Sequence, residues 1–260
     1  MVRVPAHTAV RAGPVNTLAA WGRGGRNRRR RGWRNTIVAV STVYDCADPD
    51  SRAAGLAAAT SALRSGRLVV VPTDTVYGLA ADAFDSAAVA SLLTAKGRGR
   101  DMPVPVLVGS WNTIDGLVFS VRPQARDLIR AFWPGGLSIV VQQAPSLAWD
   151  LGDARGTVML RMPLHPVALE LLQEVGPLAV SSANTSGRPA AENVTQARDQ
   201  LGSLVGVYLD GGPAQHATAS TIVDLTGDQP RILRAGAVAT EAVAEVLATT
   251  PEALIGSVAQ

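Results

Sequence analysis

Short runs of β-branched residues alternate with Ala- and Leu-rich stretches along most of this chain, and this alternation restricts the possible folds most strongly. The run Arg67–Val71 (RLVVV) lies between Gly66 and Pro72, a pattern typical of a buried strand. Residues 51–66 before it have the composition of a helix that Ser51 could cap and Gly66 could end. Helices and strands in alternation predict an α/β or α+β domain.

The same signals predict the remaining elements. We expect helices at 86–97, 110–117, 123–133 and 165–175, and strands at 104–108, 137–141, 157–161, 178–181, 205–209, 221–224 and 231–233, with a second short strand after residues 72–78. The last strands follow one another too closely for helical crossovers, which excludes a purely parallel sheet. We therefore predict a mixed parallel and antiparallel sheet flanked by helices.

Charge divides the chain near its N-terminus. Nine of the 24 Lys and Arg residues, and none of the 21 Asp and Glu residues, lie within residues 1–34, so the rest of the chain has a net charge of −6 although the whole chain has +3. We divide the chain into a basic, disordered arm (1–40), a catalytic domain (41–240) and a peripheral helical tail (241–260). An export signal, an organellar presequence, a nucleic-acid-binding tail and an upstream segment without a function all remain open for the arm.

Composition excludes several classes of protein. A single cysteine excludes a disulfide scaffold and a cysteine-rich zinc site, and the three histidines lie far apart in the sequence. The longest apolar runs are too short to cross a bilayer, so we expect no membrane partner and a cytoplasmic location.

Three loops carry polar residues that could bind a ligand. The first, residues 72–78 (PTDTVYG), follows a predicted strand; the second, residues 96–103 (KGRGRDMP), contains Lys96, the only lysine of the chain; the third, residues 181–190 (SSANTSGRPA), is rich in hydroxyl and amide groups. A Pro-initiated turn, a capped helix end and a Ser/Asn turn would explain the same residues without any ligand. Cations beside glycines nevertheless suit a polyphosphate, so the chain predicts an anionic ligand such as a nucleotide.

Taken together and in order, the motifs resemble those of a known family. PTDTVYGLAAD, KGRGRDMP, WPGGLSIVV, TVMLRMPLHP, SSANTSGRP, STIVD and ILRAG look like the YrdC/Sua5 family of L-threonylcarbamoyladenylate synthases over residues 50–240. Sua5-type members add a C-terminal domain, so this chain resembles the short form. The resemblance implies a twisted mixed sheet with helices around a concave, positively lined cavity.

The resemblance also implies a reaction and its partners. Members convert L-threonine, bicarbonate and ATP, with Mg²⁺, into L-threonylcarbamoyl-AMP and diphosphate. A separate transferase complex then uses the intermediate to form N6-threonylcarbamoyladenosine in ANN-decoding tRNAs. A non-catalytic RNA-binding protein of the same fold, with direct RNA or tRNA contact, is the alternative. A related domain of hydrogenase maturation factors is a third possibility.

Functional positions follow from the resemblance residue by residue. Lys96 and Arg98 are expected to be catalytic and to neutralise the ATP phosphates. Thr75, Arg161, Val180 and Ser220 are expected at L-threonine, and Thr157, Ser182, Asn184 and Arg234 at ATP. We expect no protein side chain to serve as a metal ligand.

Three positions depart from the family pattern. Met102 replaces a common Asn, Leu107 stands where some members have His, and Asp74 replaces a common Glu. We expect a slightly different substrate placement and an unchanged reaction.

Overall fold

The computed structural model describes residues 41–214 and 218–255, which belong to one compact unit. The predicted basic arm at 1–40 and the end of the predicted tail at 256–260 lie outside the described residues. The proposals for the arm therefore stay predictions.

The described residues contain ten strands and seven α-helices. The strands are β1 (Thr42–Asp45), β2 (Val69–Val71), β3 (Gly78–Asp82), β4 (Val106–Leu107), β5 (Leu137–Gln142), β6 (Thr157–Arg161), β7 (Leu178–Ser182), β8 (Val207–Asp210), β9 (Thr221–Asp224) and β10 (Arg231–Arg234). The helices are α1 (Pro49–Arg64), α2 (Ser86–Lys96), α3 (Pro123–Phe132), α4 (Pro166–Val175), α5 (Val194–Leu201), α6 (Thr240–Val246) and α7 (Pro251–Ile255). None of the described helices is long and apolar enough to cross a membrane.

The cap of α2 is the one that the sequence suggests, whereas the cap of α1 is a different residue from the one predicted. Asp85 caps α2 by accepting from the backbone N–H groups of the first turn, and Gly97 ends that helix with a φ of 61°. The prediction that Ser51 caps α1 is wrong. Asp48 accepts from the Ser51 N–H at 2.7 Å and is followed by Pro49 at the first helical position, where a missing N–H costs nothing.

The sequence did not predict β1 and α5, and the helix predicted at 110–117 is a 3₁₀ helix at Trp111–Gly116. Strand β1 is half exposed and lacks the apolar alternation that identifies a strand, so its pairing with β8 decides its conformation. Helix α5 does carry a readable signal, because Val194, Ala197 and Leu201 repeat at helical spacing and are buried.

All strands of the described residues form one sheet in the order β1-β8-β2-β3-β7-β4-β6-β5-β9-β10. Parallel pairs (β1 with β8, β2 with β8, β4 with β6, β5 with β9) occur together with antiparallel ones. The prediction of a mixed sheet flanked by helices is therefore confirmed.

The two faces of the sheet are covered differently. Along β6, Val158 and Leu160 point into the larger core, whereas Met159 and Arg161 point to the opposite face. On that opposite face, α1 and α4 pack against β2, β7 and β8 in a second cluster. Leu107 belongs both to this cluster and to the wall of a cavity, so the cavity opens beside the helix-covered region of the same face.

The described part of the predicted peripheral tail, residues 241–255, packs into the core. Val243 of α6 and Leu254 of α7 are buried in the larger cluster, and α7 packs against β10. Amphipathic helices this short are stable only when their apolar side is packed, which explains the close attachment.

We expect Leu254→Ala to lower the free energy of unfolding by about 2–4 kcal/mol, because it removes a side chain that is 1% exposed. The neighbouring Ile255 is 61% exposed, so Ile255→Ala is the matched control and should change stability by less than about 0.5 kcal/mol. Urea denaturation measures both. Equal effects of the two substitutions would show that α7 is a tail after all.

Candidate active site

The loop between β2 and β3 folds back on itself through its hydroxyl groups. Thr73 Oγ1 accepts from the Thr75 N–H at 3.2 Å and donates to the Val76 carbonyl at 2.6 Å. Both threonines are buried, and their hydroxyl oxygens lie 3.1 Å apart. The loop therefore presents Thr75 in a fixed orientation.

A buried ion pair joins this loop to the end of β6. The Arg161 guanidinium donates from Nη2 to Asp74 Oδ1 at 2.6 Å, from Nη1 to Thr75 Oγ1 at 2.8 Å and from Nε to the Gly135 carbonyl at 2.9 Å. Asp74 Oδ1 also accepts from the Leu164 N–H at 2.9 Å. Of the five guanidinium N–H groups, two have no partner among the described residues and remain for a ligand.

A second arginine clamps the residue before β9. Arg234 donates from Nε and Nη2 to the Ser220 carbonyl at 3.0 and 2.7 Å, and from Nη2 to Ser220 Oγ at 3.0 Å. Ser220 Oγ also lies 2.9 Å from Ser138 Oγ of β5. Burial lowers the pKa of Arg161, and the carboxylate of Asp74 opposes this shift. The positive charge of Arg234 lowers the pKa further, which shows that the two arginines are close to each other.

Lys96 is held by protein oxygens. Its ammonium donates to the Ser182 and Asn184 carbonyls, both at 2.6 Å, to Asn184 Oδ1 at 2.8 Å and to Ser182 Oγ at 3.2 Å. The Asn184 amide in turn donates to the Thr185 and Arg188 carbonyls. Lys96 therefore fastens the end of α2 to the loop that follows β7.

The charge state of Lys96 reflects this environment. Its side chain is 1% exposed, and burial, followed by the positive charge of Arg98, lowers its pKa to about 8. The four oxygens favour the ammonium form, so the group stays charged at neutral pH.

These elements surround one cavity of about 360 Å³, a volume within the usual range of ligand sites. Its wall consists of Thr73, Thr75, Val76, Tyr77, Gly78, Arg98, Met102, Pro105, Leu107, Ser138, Met159, Arg161, Val180, Ser181, Ser182, Ala190, Ala219, Ser220, Ile222 and Arg234. Three arginines and no carboxylate of the described residues line it, so the cavity favours an anionic ligand.

The cavity brings together seven of the ten predicted site residues. They are Thr75, Arg98, Arg161, Val180, Ser182, Ser220 and Arg234. Lys96 and Asn184 lie behind the wall, where they bond to each other. Thr157 lies outside it, at the start of β6, and its hydroxyl donates to the Ala154 carbonyl at 2.7 Å.

Sequence reasoning missed two contributions from the segment WPGGLS (133–138), which forms the turn before β5 and the first two residues of that strand. The Gly135 carbonyl anchors Arg161, and Ser138 pairs with Ser220. The signal for Ser138 was its alternation with Leu137 and Ile139, which places a hydroxyl on the cavity face of a buried strand.

The departures from the family pattern lie at the same site. Met102 and Leu107 both line the cavity and add apolar surface to its wall. Asp74 lies beneath the cavity as the partner of Arg161.

The described side chains offer few ligands for a metal ion. The described residues contain no group of three or more His, Cys, Asp or Glu side chains that could hold one. The side-chain oxygens of the lining residues are hydroxyls, which are weak ligands beside carboxylates and phosphates.

Comparisons with known proteins agree with the motifs. A Sua5/YciO/YrdC family model, described as "Telomere recombination", matches residues 61–236. A Mycobacterium leprae protein named "Putative threonylcarbamoyl-AMP synthase" is 69% identical over 219 residues, which are 84% of this chain and 100% of that protein. A "Threonylcarbamoyl-AMP synthase" of Pyrococcus abyssi is 34% identical over 186 residues, 71% of this chain and 55% of that protein.

Solved structures share the architecture. Sua5 of Pyrococcus abyssi in complex with L-threonine has a TM-score of 0.72 at 33% identity, covering 74% of this chain and 57% of that one. YciO of E. coli has a TM-score of 0.67 at 23% identity, covering 78% of this chain and 97% of that one, which shows a common fold alone. With a family model over most of the domain and relatives of high identity, this chain belongs to the Sua5/YciO/YrdC family.

Proposed function

We propose that this chain is an L-threonylcarbamoyl-AMP synthase, which forms its product and diphosphate from L-threonine, bicarbonate and ATP. The observation that carries the proposal is the convergence of Thr75, Arg98, Arg161, Ser220 and Arg234 on one cavity without a carboxylate in its described wall. A relative at 69% identity is named "Putative threonylcarbamoyl-AMP synthase", one at 34% identity is named "Threonylcarbamoyl-AMP synthase", and a structural neighbour was solved with L-threonine.

Arg161 is the proposed receptor for the threonine carboxylate. Its two N–H groups without a protein partner can form charge-assisted hydrogen bonds to that carboxylate. Asp74 and the Gly135 carbonyl hold the guanidinium in place, so little conformational freedom is lost when substrate binds. Thr75, Val180 and Ser220 line the same cavity beside it.

The chemistry that follows needs positioning and positive charge. The threonine amine attacks carbon dioxide derived from bicarbonate and loses a proton, which gives a carbamate. A carbamate oxygen then attacks the α-phosphorus of ATP, and diphosphate leaves with the electron pair of the broken P–O bond. Arg98 and Arg234 lie where their charge can stabilise the phosphates, and the walled cavity limits hydrolysis of the carbamate.

The role proposed for Lys96 differs from the sequence-based expectation of direct phosphate neutralisation. Its ammonium already has four oxygen partners and lies behind the cavity wall. We therefore treat Lys96 and Asn184 as positioning residues that hold Ser182 at the wall, while Arg98 faces the ligand.

Magnesium enters this proposal as part of the nucleotide substrate. Since the described wall lacks carboxylates, the phosphates and water would supply most ligands of the ion. Among the protein oxygens, Ser182 Oγ could supply one more. Bound in that way, Mg²⁺ would neutralise charge on the departing diphosphate.

The product requires a consumer, because an acyl adenylate is a labile intermediate. We propose that a transferase complex accepts it and modifies ANN-decoding tRNAs, and that the reaction occurs in the cytoplasm, where ATP and these tRNAs are found. Direct tRNA contact by this chain is a separate proposal that only the basic arm at 1–40 favours, since the remaining residues have an excess of acidic groups.

We expect diphosphate release from ATP to require both L-threonine and bicarbonate, and the other product to have the mass of threonylcarbamoyl-AMP. A coupled diphosphate assay with each substrate omitted in turn, followed by mass spectrometry, tests this. Carbamoyl phosphate in place of threonine and bicarbonate is the control for the hydrogenase-maturation chemistry. Release with carbamoyl phosphate alone, or none under any condition, would refute the proposed reaction.

We expect Lys96→Met and Arg98→Met both to lower kcat/KM about 100-fold, but only the first to destabilise the fold. Lys96→Met leaves buried carbonyls without a donor and should lower the free energy of unfolding by about 1–3 kcal/mol. Arg98 Nε has no hydrogen-bond partner in the described structure, so Arg98→Met should change the free energy of unfolding by less than about 0.5 kcal/mol.

Urea denaturation measures the free energy of unfolding of both variants. They are a matched pair, because each substitution removes one cation and the two positions are two residues apart. A positioning role for Lys96 is wrong if the two variants have the same stability.

A further inference from the structure

Ser138 is a buried hydroxyl that none of the roles above uses. It is 2% exposed, lines the cavity from β5, and has Ser220 as the partner of its only hydrogen bond among the described residues. Burial of a hydroxyl costs free energy unless it is hydrogen-bonded, so the contact with Ser220 is what makes Ser138 tolerable at this position.

The hydrogen bonds around Ser220 leave one proton unassigned. Arg234 can only donate, so Ser220 Oγ is the acceptor in that contact. Ser138 and Ser220 share one hydroxyl proton between their oxygens, and the second hydroxyl proton has no acceptor among the described residues. When Ser138 donates, the proton of Ser220 is the free one, and Ser220 is the member of the pair expected at the substrate.

The backbone around Ser138 is held closely in register. Ser138 is opposite Ile222 in the parallel pair of β5 and β9, and the Thr221 N–H donates to the Gly136 carbonyl at 3.0 Å. A Cβ on Gly136 would lie 2.7 Å from Ala237 Cβ, so the segments around 136 and 237 are closely packed. The sheet register therefore places the Cα atoms of Ser138 and Ser220 at a fixed separation.

We propose that Ser138 is a positioning residue for the amino-acid substrate: it donates to Ser220 Oγ and thereby directs the Ser220 proton into the cavity beside Arg161. The ligand class is an α-amino acid, whose polar groups would accept that proton. The inference rests on the proposed function and adds a residue that acts through Ser220.

The first test compares Ser138→Ala with the conservative Ser138→Thr. Without the donor from Ser138, the Ser220 hydroxyl is free to rotate, and the KM for L-threonine should rise about tenfold, the equivalent of one hydrogen bond, while the KM for ATP changes less than about twofold. Ser138→Thr keeps the hydroxyl and should restore most of the affinity. Ser91→Ala, on the exposed side of α2, is the control for an unrelated serine.

A double-substitution cycle separates positioning from a general structural effect. If Ser138 acts through Ser220, Ser138→Ala combined with Ser220→Ala should raise the threonine KM no further than Ser220→Ala alone. The inference is wrong if the double variant shows the product of the two single rises in the threonine KM, or if the KM values for threonine and ATP rise equally.

Calorimetric titration of L-threonine without ATP keeps this test independent of turnover. Wild-type protein that binds threonine about tenfold more tightly than Ser138→Ala supports the inference even if no diphosphate is released, in which case the proposed function alone fails. Equal threonine affinity of the two proteins, or no binding by either, rejects the role of Ser138.

Discussion

The ion pair between Asp74 and Arg161 organises the site. It joins a loop after β2 to the end of β6, strands that lie four places apart in the sheet. Two charges this deeply buried are stable only as a pair, and loss of either partner would cost about 3–5 kcal/mol. The pair thus fixes the loop across the sheet face and at the same time aims a guanidinium into the cavity.

Two further cations of the site, Lys96 and Arg234, follow the same design, in which protein acceptors hold the side chain before a ligand arrives. Backbone carbonyls bind Arg234 and Lys96, and Asn184 completes the contacts of Lys96. Catalysis by positioning and charge needs such rigidity, because a group that must reorganise during the reaction contributes less. In the proposed mechanism the nucleophiles come from the substrates, so the wall needs only to position them and to supply positive charge.

Local sequence signals predicted most of the fold. Buried β-branched runs such as Val69–Val71 and the helix α2 with its Asp85 cap and Gly97 end were readable. Strand β1 was not, because its conformation comes from pairing with a strand far away in the sequence. The residues of the cavity were found through motifs, but their roles depend on three-dimensional contacts: no spacing shows that Lys96 faces the Ser182 carbonyl and that Arg98, two residues later, faces the cavity.

The close packing of α7 on β10 has a consequence for the cavity. Strand β10 ends in Arg234, so the last described helix braces the strand that supplies one of the cavity cations. Strand β1 lies at the opposite edge of the sheet from β10. A change in the packing of α7 would therefore be felt at the cavity through Arg234, whereas the same change beside β1 would have to cross the whole sheet.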